Sequence, residues 1–338
     1  MNAWTDGVHS VARRPMDLPD GPVAPVDAPA WEATRPDQHL VSVERGTLVA
    51  RCSVWWTAAS ALPERPDAVV GRIGHVAWAD AAAGAALIGH AMAALAAHGC
   101  THAVGPMDGS TWHAYRVVTD AAPSGGAPEP PFAMEPVPPP AVTAAFVAAG
   151  FSPVAHFLSS RVDALPDGSA AWSADRSRLR ALGVGVQAMG DAEDALAAIY
   201  AVSTEAFAGN PFYTPLAHDA FLATYRPLLP HLDPRLVLLA WRGGTPVGFA
   251  FGLPDLAQAA RGEVVDTVIV KTVAVVASAR GGGLGGALVR GLHEAARTAG
   301  YRRALHALMH EANASVRIST HTARPMRRYA LLGQALGA

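Results

Sequence analysis

The stretch "SARGGGLGGALVRGLHEAARTAG", Ser278 to Gly300, places five glycines in six positions ahead of a helical pattern. A glycine turn at a helix start gathers backbone N–H groups at the positive end of the helix dipole, which suits a bound phosphate. Gly281, Gly283 and Gly286 satisfy GxGxxG, the dinucleotide turn. That turn needs several further βα units and an acidic residue closing the next strand. Only about 50 residues follow, and Glu311 lies about ten residues too far on. A Walker loop is excluded, because Ala287 follows Gly286 where lysine is required. What remains is Arg-x-x-Gly-x-Gly, carried by Arg280, Gly283 and Gly285, with a tight turn made for no ligand as the alternative. Upstream, "VIVKTVAVV" carries Lys271, the only lysine among 26 basic side chains. On a regular strand Lys271 shares the face of Val273 and Val275 and points towards the cleft, a candidate catalytic residue with a structural ion pair as the alternative. Burial would lower its pKa unless a carboxylate paired with it, and Glu311 is a candidate partner.

The elements that must position these residues follow from hydrophobic period and turn chemistry. Residues 1–35 are rich in Pro, Asp and Ala and read as a loosely ordered arm. Residues 36–165 give strands at "GTLVARCSVWWTAA" and "AVVGRIGHVAW", the helix "ADAAAGAALIGHAMAALAAHG", the strand "CTHAVGPM", a proline-rich loop, a short helix and the strand "FSPVAHFLSSRV". Residues 166–180 read as a linker. Residues 181–338 repeat the order: a strand, two helices, a hairpin turning at Gly243-Gly244, the strand "DTVIVKTVAVV", the glycine loop and its helix, and two further strands. An offset of 199 overlays Val76 on Val275, Ala81 on Arg280, Gly84 on Gly283 and Ala86 on Gly285. A repeat of this size implies two copies of one domain rather than a solenoid.

Composition narrows the partners. Half the residues are apolar and 16% are charged, enough for a large core. A net charge of −2 argues against a nucleic-acid footprint or an anionic-membrane surface. Cys52 and Cys100 form no CxxC pair, which fits a reducing compartment and no structural zinc. The first residues lack the apolar core of a signal peptide, so a cytoplasmic protein is expected.

Val275 and Arg280 through Gly285, followed by a long helix, a strand and Asn313, resemble the signature of the GNAT superfamily of N-acetyltransferases, with Ala277 in place of the usual proline. The resemblance is strong over 184–332 and weak over 46–162. It implies an α/β (α+β) architecture of two GNAT-like domains, each a mixed, mostly antiparallel twisted sheet flanked by helices. It also implies acetyl-CoA as co-substrate, no metal, and transfer of the acetyl group to the amine of a small molecule by direct attack in a ternary complex. The coenzyme A pyrophosphate would sit on Gly281, Gly282, Gly283, Leu284, Gly285 and Gly286 with Arg280 adding charge. Val273, Val275 and Asn313 would hold the pantetheine arm, Val275 also polarising the thioester carbonyl. The first half lacks the arginine and has one glycine in "AAAGAA", so it is expected to be a degenerate copy with poor or no cofactor binding.

Acetyl transfer also needs a base for the amine and an acid for the leaving thiolate. Glu263, Asp266, His310 and Glu311 lie on or near the two strands beside the loop and are candidate bases. The family commonly has a tyrosine about seven residues after the asparagine; here Thr320 stands there, leaving Ser319, Thr320 and Tyr329 as candidate acids. Phe207, Asn210, Phe212 and Tyr213, in "AFAGNPFYTPL", are candidate acceptor-wall residues, with a hydrophobic staple as the alternative. A non-catalytic coenzyme A-binding or interaction module is a competing reading. An aminoacyl-tRNA-dependent transferase is another, disfavoured by the lack of basic surface. An oligomer is compatible with all of these.

Overall fold

In a computed structural model, residues 4–11, 18–62, 65–319 and 323–337 are described. The first half runs β1 (Gly7–Val11), α1 (Ala28–Thr34), β2 (Gln38–Glu44), β3 (Thr47–Leu62), β4 (Arg65–Trp78), α2 (Ala81–Ala97), β5 (His102–Gly105), β6 (Val117–Asp120), α3 (Pro140–Ala148) and β7 (Ser152–Val162). The second continues with α4 (Ser169–Ala181), β8 (Val184–Ala188), α5 (Ala192–Phe207), α6 (His218–Tyr225), β9 (Val237–Arg242), β10 (Thr245–Pro254), α7 (Leu256–Ala260) and β11 (Thr267–Val275). It closes with α8 (Leu284–Thr298), β12 (Arg303–His310), α9 (Ala314–Ser319) and β13 (Arg324–Ala335).

The strands join in one mixed sheet, ordered β1-β2-β3-β4-β5-β13-β7-β12-β11-β10-β9-β8, with β6 also pairing β13. Neighbours are antiparallel except β4 with β5 and β11 with β12. Read outward from the β13–β7 boundary, each half places a parallel pair next and antiparallel strands beyond. The halves have exchanged their last strands. β13 lies between β5 and β7, and β7 lies between β13 and β12. The boundary expected near residue 165 therefore does not divide the sheet, since β7, at 152–162, is integral to the second half.

The arm and the linker are corrected. β1 pairs with β2 from Gly7↔Val43 to Val11↔His39, and α1 is capped by Asp27, whose carboxylate accepts from Ala30 N at 2.7 Å. Trp31 of α1 is buried beside the His39 ring. A five-residue edge strand held by backbone pairing leaves too short a period to read from sequence. Residues 166–180 lie largely within α4, which docks on α8 by laying Trp172 against Gly291, where an added methyl would fall 2.8 Å from the ring.

Two layers cover the second half's sheet. Leu284, Leu288 and Leu292 of α8 close over Gly248 and Gly252 of β10. On the opposite face Phe249 and Phe251 share a small pocket with Leu196, Ile199 and Ser203 of α5. β10 is buried nearly throughout, as a strand covered on both faces must be.

Candidate functional site

β11 leads into the glycine loop through a short 3₁₀ turn at Ala277–Ala279. Gly281 and Gly283 then take φ of 85° and 73°, left-handed conformations that favour glycine. Gly283 precedes α8 and offers no side chain to cap it. Among the described residues no hydrogen bond reaches the N–H groups of Gly281 through Gly286; the first one taken is that of Ala287, on Gly283 O at 3.1 Å. A run of unclaimed donors at the positive end of a fifteen-residue helix is a cradle for an anion. Two guanidiniums flank it. Arg178 of α4 donates to Gly282 O and to Asp175 at 3.1 Å, and Arg290 donates to Asp175 at 2.6 Å. Arg280 turns elsewhere: it donates to Val275 O at 3.1 Å and to Ala206 O at 3.2 Å, tying the end of β11 to α5.

Beside the loop the sheet opens. β11 and β12 pair only from Thr267↔Arg303 to Val270↔His306, yet both strands continue, β11 against β10 and β12 against β7. Val276 N donates to Val247 O at 3.1 Å. In an antiparallel ladder this alternation turns the N–H and C=O of Val275 and Val273 away from β10, into the opening. Both side chains are half-buried there. Asn313 lies beyond β12, exposed, its carbonyl accepting from Val316 N at 3.1 Å at the start of α9.

The corresponding place in the first half is closed. β4 and β5 pair over Val70–Arg72, but the chain after β5 then follows β4: Met107 N donates to Ile73 O at 2.8 Å and Asp108 accepts from His75 N at 2.6 Å. A methyl on Gly74 would sit 2.1 Å from Met107 O, so the slot holds backbone. Asp80 caps α2 by accepting from Ala83 N at 2.9 Å, placing a carboxylate where a phosphate would bind. Gly84 packs under Trp78.

Several expected catalytic residues are occupied elsewhere. Glu263 is exposed and paired with Arg261 at 3.0 Å, and Asp266 accepts from Gln258 and Thr267, each at 3.0 Å. Both precede the paired end of β11, and Asp266 lies about 30 Å along the strand from Val275. Neither is placed to act as base. Glu311 pairs with Arg328, not with Lys271. Ser319 is buried on His306 Nδ1 at 2.8 Å, and His306 Nε2 lies 2.9 Å from His293 Nε2. Tyr329 is fully buried; its hydroxyl donates to Glu135, which also pairs with Arg327 at 2.5 Å. Burial and the neighbouring carboxylate raise the phenol's pKa far above its usual value, which unsuits it as an acid. Thr320 lies outside the described residues.

The acceptor-wall candidates divide. Phe207 lines the small pocket with Trp112, Phe221 and Thr272. Tyr213 lies beside Trp112, ring centroids 6.0 Å apart, and Phe212 is buried in the cluster around Tyr329, at φ 61°. Asn210 is exposed. Trp112 comes from the first half and donates to Thr214 O at 2.9 Å.

Lys271 departs from the regular-strand expectation. Phe251 pairs with Thr272 but Gly252 with Val270, so Lys271 is the extra residue of a β-bulge. The alternation slips there, and Lys271 no longer shares the face of Val273. It has no hydrogen-bond or ion-pair partner among the described residues. Burial lowers its pKa to about 8, with the charge of Arg116 adding to the effect. Sequence reasoning missed Arg116, which is buried at φ 83° with its guanidinium over the Tyr115 and Phe157 rings. No motif marks it.

The glycine turn with its unclaimed N–H groups thus lies beside a parallel pair of strands that part. Residues 196–318 match the model of the acetyltransferase (GNAT) family, and the chain carries a GNAT domain there. Several solved structures are similar to it. A GCN5-related N-acetyltransferase from Anabaena variabilis matches with a TM-score of 0.51 at 10% identity, over 91% of this chain and 65% of that one. One from Sphaerobacter thermophilus matches at 0.49 and 15%, over 89% and 81%. A tandem GNAT protein from the clavulanic acid biosynthesis pathway matches at 0.48 and 14%, over 94% and 91%. No curated protein matches the sequence. The GNAT fold generally serves acetyl-CoA-dependent N-acetyl transfer. Among the described residues no helix is long and apolar enough to cross a membrane.

Proposed function

We propose that the second half binds acetyl-CoA and transfers its acetyl group to the amine of a small molecule by direct attack in a ternary complex. The unclaimed N–H groups of Gly281 through Gly286, beside the opening between β11 and β12, carry this reading. The loop would hold the pyrophosphate, with Arg178 and Arg290 nearby to offset its charge. The inward N–H groups of Val273 and Val275 would hold the pantetheine arm and polarise the thioester carbonyl. The acceptor would enter on the α5–α6 face, against Phe207, Trp112 and Tyr213. The closed slot of the first half supports a stoichiometry of one.

A second reading, a coenzyme A-binding module without transfer, draws on the engagement of Ser319 with His306 and of Tyr329 with Glu135. Calorimetric titration with acetyl-CoA should give about one equivalent bound. Gly283→Asp should abolish it, because the aspartate adds negative charge and its Cβ would lie 3.2 Å from the Arg178 guanidinium at φ 73°. Unchanged binding in that variant would refute the assigned cradle. Thiol release with an amine panel then separates enzyme from binder.

A further inference from the structure

Among the described residues, neither Arg116 nor Lys271 has a carboxylate partner. Arg116 is 3% exposed; among the described residues its Nε has no hydrogen-bond partner and its guanidinium makes one hydrogen bond, from NH1 to Leu308 O at 3.2 Å. Leu308 lies on β12 two residues past His306, the register partner of Val270. Val270 and His306 are the last paired residues, so Lys271 and the Leu308 carbonyl both lie just past the point where β11 and β12 part, and the charge of Arg116 acts on Lys271. The two cations thus belong to the same mouth, one brought by each half of the chain.

The neighbouring carboxylates are already committed. Glu135 pairs with Arg327 and accepts from Tyr329, and Glu311 pairs with Arg328. His310, half-buried at the end of β12, also feels the charge of Arg116 and adds no negative charge. Burying two cations near one another with no counter-ion is unfavourable, and such an arrangement persists when a ligand supplies the missing charge. The backbone at Arg116 adds to the cost, since φ 83° is a left-handed conformation for a side chain of this size. Thr272, the residue after Lys271, lines the small apolar pocket formed with Trp112, Phe207, Phe221 and Phe251.

We propose that Arg116 and Lys271 form the carboxylate-recognition site of the acceptor, so that the amine acetylated by this protein also bears a carboxylate. Arg116 supplies a planar fork suited to a carboxylate and Lys271 a point charge. The first half, which has lost its cofactor slot, thereby contributes a specificity determinant to the second. This inference rests on the acetyltransferase reading for the amine, though anion recognition can be measured without turnover.

The test is calorimetric titration of the full-length protein, with and without coenzyme A, using N-acetyl-L-phenylalanine, N-acetyl-L-leucine and N-acetyl-L-methionine, each paired with its carboxamide. Inorganic phosphate is the comparison anion. At least one carboxylate should bind ten to a hundred times more tightly than its amide and more tightly than phosphate. Arg116→Gln and Lys271→Met should each remove most of that preference, while Arg116→Lys retains part of it. Acetyl-CoA affinity and thermal unfolding report that each variant is folded. Binding of no carboxylate, equal binding of acid and amide, stronger binding of phosphate, or a preference surviving both neutral substitutions overturns the proposal. Failure to bind acetyl-CoA, with the carboxylate preference intact, would instead remove the transferase reading and leave the anion site standing.

Discussion

The buried histidines show how single residues couple this fold to pH. His293 and His306 stack with ring centroids 5.0 Å apart, and burial lowers their pKa values to about 4 and about 3. Near pH 5 both stay neutral in the folded protein, while the unfolded chain titrates near 6.5 and takes up protons. Stability is therefore fully present above pH 6.5 and falls as the pH drops towards the folded values. Each histidine contributes about 1.4 kcal/mol per pH unit within that window. His39 and His75 in the first half add the same sign. Urea denaturation at pH 7 and pH 5 should show a clear loss of stability, and a His293→Gln/His306→Gln variant should lose less. Equal losses would show that the pair does not set the dependence. Lys271 was conspicuous in the sequence as the lone lysine. Its place in a bulge was not, because the extra residue is defined only by its partner strand.

At the scale of elements, α4 shows the limit of reading by composition. Its residues are mostly polar, small or charged, and they resemble a linker until Trp172, Asp175 and Leu179 are seen facing the molecule. The helix covers α8 and delivers Arg178 to the glycine loop. Trp172→Ala should cost about 3 kcal/mol, as loss of a large packed aromatic does, and should also weaken acetyl-CoA binding by freeing Arg178. Chemical denaturation and calorimetry on the same variant measure both effects. A drop in stability with no change in affinity would confine α4 to packing. The glycine loop and α8, by contrast, were legible in full. The apolar residues of α8 fall at helical spacing, from Leu284 through Leu288 to Leu292, and nothing distant is needed to see it.

Across the whole molecule, the exchange of β7 and β13 joins the halves more tightly than any linker. Each terminal strand is paired on both sides, so removing either half leaves unsatisfied edges in the other. Residues 1–165 and 166–338 expressed separately should each be insoluble or unfolded, and co-expression should recover a soluble complex. Circular dichroism of the separate pieces measures this. A cooperatively folding isolated piece would mean that the exchanged strand is dispensable. The same exchange places β12 against β7 and brings the 106–118 segment over the second half's mouth, which is how Trp112 and Arg116 reach it.

By itself the sequence determined the glycine turn, the helix that follows it, the chain order of the strands before and after it, and the single glycine at the matching turn of the first half. Those features are local: they depend on glycine conformations, helical spacing and residues adjacent along the chain. Only the tertiary structure decided that the strands are exchanged, that the first half's slot is filled by Met107 and Asp108, and that Arg116 reaches the Leu308 carbonyl, past the point where β12 parts from β11 beside Lys271. These rest on pairings between residues far apart in the chain, from the thirty or so between Ile73 and Met107 to the hundred and fifty-five between Arg116 and Lys271. No periodicity records a pairing of that span, because it is selected by the burial and hydrogen bonding of the assembled sheet rather than by any one segment.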